Sequence, residues 1–176
     1  MDKMDILAAI KKRRSTRKFT ADPVEEGVLK DLVLEAGIWA PSGGNTQSWR
    51  FLIITDAKIL NRLKLVSPGL LGAPSSVIVI CEDMTRVLER GGELGVKTLS
   101  LMDTAMAAEN IMLAACAVGL ATCPIASFHA GAVQKTLGLP ADIYPQLLIS
   151  VGFPDENPPA PRRNANVIWF NSYADE

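Results

Sequence analysis

One histidine, three cysteines and no run of eighteen apolar residues occur in the 176 positions of this chain, and each scarcity removes a class of function. His129 has no paired acid or nucleophile in its local sequence, so it reads as an ordinary surface or core histidine. No triad and no pair of carboxylates at catalytic spacing can be picked out. Cys81, Cys116 and Cys123 are odd in number, lack metal-ligand spacing and lie in apolar contexts. That excludes a disulfide framework and a zinc site, and predicts buried free thiols of a protein in a reducing cytoplasm. Without a long apolar run there is no candidate membrane span, and the start Met1-Asp2-Lys3-Met4-Asp5 is unlike a signal peptide. A formal net charge of -1 implies no general affinity for nucleic acid or for an anionic membrane. No strand leads into a Gly-x-Gly-x-x-Gly turn and helix, which argues against a dinucleotide-binding Rossmann unit.

What is present is ordinary globular composition, 48% hydrophobic and 21% charged, in a length suited to one domain. The periodicity predicts a short helix over 4–12, with Ile6, Leu7 and Ile10 on one face. Asp22-Pro23-Val24-Glu25 has the composition of a helix start, and the helix with Val28, Leu29, Leu32, Val33 and Ala36 should run until just before Pro41. Strands are expected at 51–55, 77–81 and 146–152, with a short helix capped by Asp56 running to about Val66. Residues 82–97, with Gly91, Gly92 and Gly95, suggest a mobile segment or a lid. A long helix over 99–118 is apolar nearly all round, which predicts burial inside the domain or between subunits. It leads through Gly119 into an extended segment, and a short helix follows over 131–137.

Two stretches carry chemistry. The first is Ala40-Pro41-Ser42-Gly43-Gly44-Asn45-Thr46-Gln47-Ser48-Trp49-Arg50-Phe51. The glycines permit positive φ and close approach of the backbone, while Ser42, Asn45 and Gln47 offer groups that donate and accept hydrogen bonds. That suits a heterocycle with alternating carbonyl and ring-nitrogen atoms. The second is Lys11-Lys12-Arg13-Arg14-Ser15-Thr16-Arg17-Lys18, which holds six of the chain's 18 basic residues. Lys11 and Lys12 can serve a helix C-terminus. Arg17 should lie beyond that helix, and guanidinium groups fit phosphate in bidentate fashion, so an anion site is expected here.

After Gly152 the chain turns proline-rich, with Pro154, Pro158, Pro159 and Pro161, then Arg162-Arg163 and the apolar Val167-Ile168-Trp169-Phe170. Proline-rich sequence is stiff and lacks internal hydrogen bonds. The apolar segment beyond it should form a strand on a sheet edge of its own subunit or of a partner. The reading is therefore one domain, with a core over 1–152 and an arm over 153–176.

In order and spacing, Arg13-Arg14-Ser15-Thr16-Arg17-Lys18-Phe19, the 40–51 loop, the long helix running into Gly119-Leu120-Ala121-Thr122-Cys123-Pro124, and Gly152-Phe153-Pro154 followed by Arg162-Arg163 resemble the FMN-dependent nitroreductase family. The resemblance spans about Ile6 to Phe170. It implies an α+β fold, a mostly antiparallel central sheet flanked by helices, and an intertwined homodimer with FMN at each subunit interface and the arm wrapped on the partner. Carried over by motif, Arg13, Ser15 and Arg17 would meet the FMN phosphate, ribityl chain and pyrimidine edge, with Arg14 at a variable position beside them. Pro41, Ser42, Asn45 and Gln47 would approach the flavin from the partner. Pro124, Ile125, Ala126 and Ser127 would pass the isoalloxazine, and Arg162 or Arg163 would complete the phosphate site. The chain departs from the family with Gln47-Ser48-Trp49 in place of Gln-Pro-Trp, and with Ala126-Ser127 where some members have Glu-Gly.

The activity implied is that of an oxidoreductase in which NAD(P)H reduces the flavin, leaves, and a small-molecule acceptor takes the electrons in a ping-pong cycle. Acceptors would be nitroaromatics, quinones or related compounds. The alternatives are a specialised relative, such as a reductive dehalogenase or a flavin-degrading enzyme, and a non-catalytic flavin-binding or storage protein. Family chemistry resides in the cofactor, so no side chain is required as acid or base.

Overall fold

The computed structural model describes residues 4–173. Residues 1–3, most of the segment read against a signal peptide, and 174–176, the end of the expected arm, lie outside it. Among the described residues β1 (Trp49–Ile54), β2 (Ser76–Asp83), β3 (Ala121–Ile125) and β4 (Ile143–Gly152) form one sheet in the order β1-β2-β4-β3, antiparallel throughout. Helices cover both faces: α1 (Ile6–Lys12), α2 (Glu26–Glu35), α3 (Ala57–Val66), α4 (Met84–Leu94), α5 (Ser100–Ala117) and α6 (Ala130–Leu137).

The alternation of β2 explains the two-sided core. Ile78 and Ile80 point to one face, where they meet Leu29 and Leu32 of α2 and Ala107, Ala108 and Ile111 of α5. Val77, Val79 and Cys81 point to the other, against Leu63 of α3 and Val133 of α6. A central strand apolar on both faces must be covered on both, as a period-2 side-chain pattern requires. The three cysteines are free and buried.

Several sequence signals act as their chemistry suggests. Asp56 caps α3 by accepting from the backbone N–H groups of Lys58 and Ile59, both at 2.9 Å. Gly138 ends α6 in the left-handed conformation, with Leu139 N–H returning to the Gln134 carbonyl at 2.9 Å.

Others differ. The helix expected from Asp22 begins only at Glu26, because Asp22 is engaged by Thr20: its carboxylate accepts the Thr20 hydroxyl at 2.8 Å and caps nothing. That helix stops at Glu35 and gives way to a 3₁₀ turn at Gly37–Trp39. Residues 82–97, read as a mobile segment or a lid, are regular structure. β2 continues to Asp83, whose side chain accepts from Arg86 N–H at 3.0 Å and starts α4. Gly92, at φ 56°, kinks that helix, and a π-turn at Gly95–Leu99 carries it directly into α5. Within the single chain the 18-residue α5 is buried on one side, with Asp103 and Thr104 enclosed, while Leu101, Met102 and Met106 face outward on the side open to the other expected alternative, a subunit contact. The apolar segment at 167–170 forms no strand within the chain and is exposed, with Phe170 at 84%. No helix among the described residues is long and apolar enough to cross a membrane.

Candidate functional site

The basic run sits against the free edge of β3. Thr16 N–H donates to the Thr122 carbonyl at 3.0 Å, and Ser15 forms an isolated parallel bridge to the same residue. α1 therefore ends just as the chain is captured by the sheet, which fixes the direction in which Arg13 and Arg14 leave the backbone. Arg13 reaches Glu109 on α5, Nε to Oε1 at 3.4 Å, but its Nη1 is buried without a partner. Arg14 folds back on the carbonyls of Lys11 and Arg13, at 2.6 and 2.8 Å, and leaves its Nε buried and unpartnered. Unmatched buried donors on two adjacent guanidinium groups are costly unless an anion meets them.

Those two arginines, Ser15 and Arg163 line a pocket of about 300 Å³ together with Pro158 and Pro159 of the arm. The arm thus brings Arg163 to the basic run; Arg162 does not line this pocket. Arg17 is exposed, and its Nη1 lies 3.5 Å from the Ser15 carbonyl. Its backbone N–H and that of Lys18 donate to Glu156 Oε1, at 2.6 and 3.1 Å. These bonds hold Glu156 below the usual carboxylate range, with the Arg17 N–H the largest cause. Pro124 and Ile125 complete β3, and exposed Ala126 and Ser127 follow; the Ser127 carbonyl accepts from Gly69 N–H at 3.1 Å.

The 41–48 loop is a separate construction. Gly44, Asn45 and Gln47 all have positive φ, at 58°, 53° and 49°. For the two non-glycine residues this left-handed backbone is uncommon and needs support from its surroundings. The support is visible. Gln47 N–H donates to Ser42 Oγ at 3.1 Å, and the Gln47 amide donates to Asn45 Oδ1 at 2.6 Å. Thr46 turns its hydroxyl onto the Gly43 carbonyl at 2.6 Å. From outside, Asp103 of α5 accepts Gly43 N–H, and Arg86 of α4 donates to the Thr46 carbonyl at 2.6 Å. Pro41, Asn45 and Gln47 remain exposed. A loop this strained and this braced presents its polar groups in one arrangement.

The structure brings Arg13, Arg14, Ser15 and Arg163 together, and Ser42, Asn45 and Gln47 together, but it does not bring the two groups to each other. In the sheet register, Trp49 at the end of the loop aligns through Glu82 with Tyr144, while Thr122 aligns with Val151. Three strand spacings and seven residues separate them, on the order of 27 Å across the sheet diagonal.

The residues that hold these groups were not legible as functional. Asp103 lies within a mostly apolar helix, Arg86 in the segment read as mobile or a lid, and Glu156 in the proline-rich arm. For Asp103 the one available signal was an acid on a mostly apolar helix.

The Nitroreductase family model matches residues 10–71 and 64–153, nearly the whole core. The chain belongs to the nitroreductase family. It is 31% identical over 166 residues to a Methanothermobacter thermautotrophicus protein whose provisional name is NADH dehydrogenase/NAD(P)H nitroreductase, covering 90% of this chain and 82% of that one. A Vibrio harveyi NADPH-flavin oxidoreductase is 28% identical over 165 residues, covering 88% of this chain and 68% of its own length. Among solved structures, nitroreductase A from Vibrio parahaemolyticus superposes with a TM-score of 0.84 at 27% identity, covering 98% of this chain and 78% of the other. This member of the nitroreductase family has the antiparallel α+β core expected of its sequence, and its two polar clusters stand at opposite corners of the sheet.

Proposed function

We propose that the protein is a flavin-dependent NAD(P)H oxidoreductase of the cytoplasm that binds FMN between two copies of the chain. The observation that carries this reading is the division of the polar groups into two half-sites too far apart to line one pocket in one chain. A homodimer resolves it, because the 41–48 loop of one copy can then stand beside the basic cluster of the other. The outward Leu101, Met102 and Met106 of α5, the outward Ile6, Leu7 and Ile10 of α1, and Trp39 at 75% exposure supply apolar surface for such an interface.

The residues fit a flavin mononucleotide. A terminal phosphate offers acceptor oxygens to the unpartnered Arg13 Nη1 and Arg14 Nε, and Arg163 adds a third cation at the same pocket. Ser15 is placed for the phosphate or ribityl chain. Arg17 supplies positive charge at the pyrimidine edge, where it favours the reduced form. The partner's loop offers the Ser42 hydroxyl and the Asn45 and Gln47 amides, pre-positioned by Asp103 and Arg86. The chain at 124–127 forms a wall whose backbone is steadied by Gly69. A flavin held there would supply the redox chemistry, accepting hydride from NAD(P)H and returning electrons to a nitroaromatic, quinone or related acceptor. The protein's part is to position, to exclude water and to supply charge.

Acid extraction of the purified protein, with chromatography of the released cofactor and light scattering of the holoprotein, tests this reading. FMN on a dimer is expected. FAD, or no flavin after reconstitution, overturns it. Anaerobic addition of NADH and NADPH then separates an oxidoreductase, which bleaches, from a flavin-storage protein, which stays yellow.

A further inference from the structure

Glu82 occupies the face of β2 beneath α5 and is wholly buried. Its Oε1 accepts the Thr104 hydroxyl at 2.7 Å. Its Oε2 has no partner, and neither does the buried hydroxyl of Ser48, which lies beside the same carboxyl outside hydrogen-bond geometry. No cation is bonded to it. The Arg50 guanidinium goes to Asp83 at 2.6 Å and to the carbonyls of Ser48 and Trp49, and Arg86 goes to the Thr46 carbonyl. The other titratable groups around it are Asp103 on α5, Tyr144 opposite it on β4, and Cys81 and Asp83 on its own strand.

We propose that Glu82 is a positioning residue for the 41–48 loop, acting as a neutral carboxyl that bridges Thr104 on α5 to Ser48 at the end of the loop. A proton on Oε2 donates to the Ser48 hydroxyl oxygen while Thr104 donates to Oε1, so one arrangement satisfies both orphaned atoms. Consecutive residues of α5 then hold both ends of the loop. Asp103 does so directly at Gly43, and Thr104 does so through Glu82 at Ser48. The charge balance agrees. Burial raises the Glu82 carboxyl from its ordinary value of 4.5, the Ser48 and Thr104 hydroxyls offset part of that, Asp103 adds to it, and Arg50 opposes it least. This role rests on the flavin reading of the loop, and its test separates the two.

Full-length wild type, Glu82→Gln and Glu82→Ala are compared for FMN affinity and, without flavin, for thermal midpoint from about pH 5 to about pH 9. Gln keeps a neutral group that donates and accepts, so it should retain FMN affinity close to wild type. Ala leaves Ser48 and Thr104 unmatched and should weaken FMN on the order of tenfold. For a carboxyl raised in the fold, the stabilisation is complete below the ordinary value and is lost as pH rises through the raised one. The wild-type midpoint should therefore fall with rising pH relative to Glu82→Gln. A Gln variant that weakens FMN as much as Ala, or midpoints of wild type and Gln that run parallel with pH, overturns the proposal. FMN binding to no variant defeats the flavin reading alone, and the flavin-free pH comparison still decides the role of Glu82.

Discussion

The backbone nitrogen of Gly43 lies 3.0 and 3.2 Å from the two carboxylate oxygens of Asp103, sixty residues later in the chain. This contact ties the loop that holds Asn45 and Gln47 at positive φ to the longest helix among the described residues. Burial raises the Asp103 carboxyl and the Gly43 N–H lowers it, so the bond works against the cost of its own location. Asp103→Ala removes the acceptor of a part-buried N–H and should destabilise the protein by about 1 kcal/mol or more in denaturant titration. FMN affinity should fall with it. An unchanged affinity would mean that the loop holds its shape without α5.

Arg163 and Arg162 are neighbours in sequence, but only Arg163 lines the pocket with Arg13 and Arg14. Arg163→Ala should weaken FMN by roughly tenfold or more, the scale of one charge-assisted hydrogen bond. Arg162→Ala should change it little. Equal losses from the two would assign the effect to general charge. Fluorescence titration at two salt concentrations distinguishes these outcomes.

Glu156 joins the root of the arm to the backbone of Arg17 and Lys18. Its carboxyl is lowered in the fold, so its contribution is present above the ordinary value of 4.5 and is lost as pH falls through the lowered one. The protection factors of the Arg17 and Lys18 amides, which correct for the slower intrinsic exchange in acid, should therefore fall on acidification beyond the general acid loss of the protein. Glu156→Ala, which removes the acceptor, should leave these two amides unprotected at neutral pH already, with no further acid step.

Gly72 has φ 71°, and a Cβ there would run into the carbonyl oxygen of Arg17. Gly72→Ala therefore combines backbone strain with a clash against backbone, for about 1–3 kcal/mol in thermal or denaturant unfolding. Because the displaced atom belongs to Arg17, the substitution should also alter flavin affinity. Gly131→Ala, where a Cβ meets nothing within 4 Å and φ is ordinary, is the matched control.

Cutting the chain after Gly152 removes Glu156, Arg163 and the exposed apolar residues 167–170 together. Dimer and FMN should be lost in the same step, read by light scattering and flavin absorbance. A truncated dimer that keeps its colour would make the arm an accessory.

What could be read in the sequence was local or periodic. Asp56 caps a helix because its partners are two and three residues away. The apolar run at 77–81 made a central strand because nothing else buries five such residues on two faces. Asp22-Pro23-Glu25 had the same composition as a start signal and failed, since Thr20 takes the Asp22 side chain first. Residues 82–97 were opaque for a different reason. Three glycines erase the helical pattern, and continuity there depends on Asp83 as a cap and on the π-turn into α5. Of the candidate site, the ligand-facing residues stood out through motif and charge. Their supports, Asp103, Arg86 and Glu156, did not, because each works across 40 or more residues of separation.

The burial of the cysteines turns the protein into its own unfolding gauge. Cys81 is wholly enclosed, and desolvation pushes its thiol up to about 12. Almost no thiolate exists there at neutral pH, and an alkylating reagent must wait for the sheet to open. Cys81 belongs to the central strand, whereas Cys116 ends α5 and Cys123 lies in edge strand β3. Differential labelling of the three over time would therefore order the opening of the edge, the helix end and the centre, without any introduced probe.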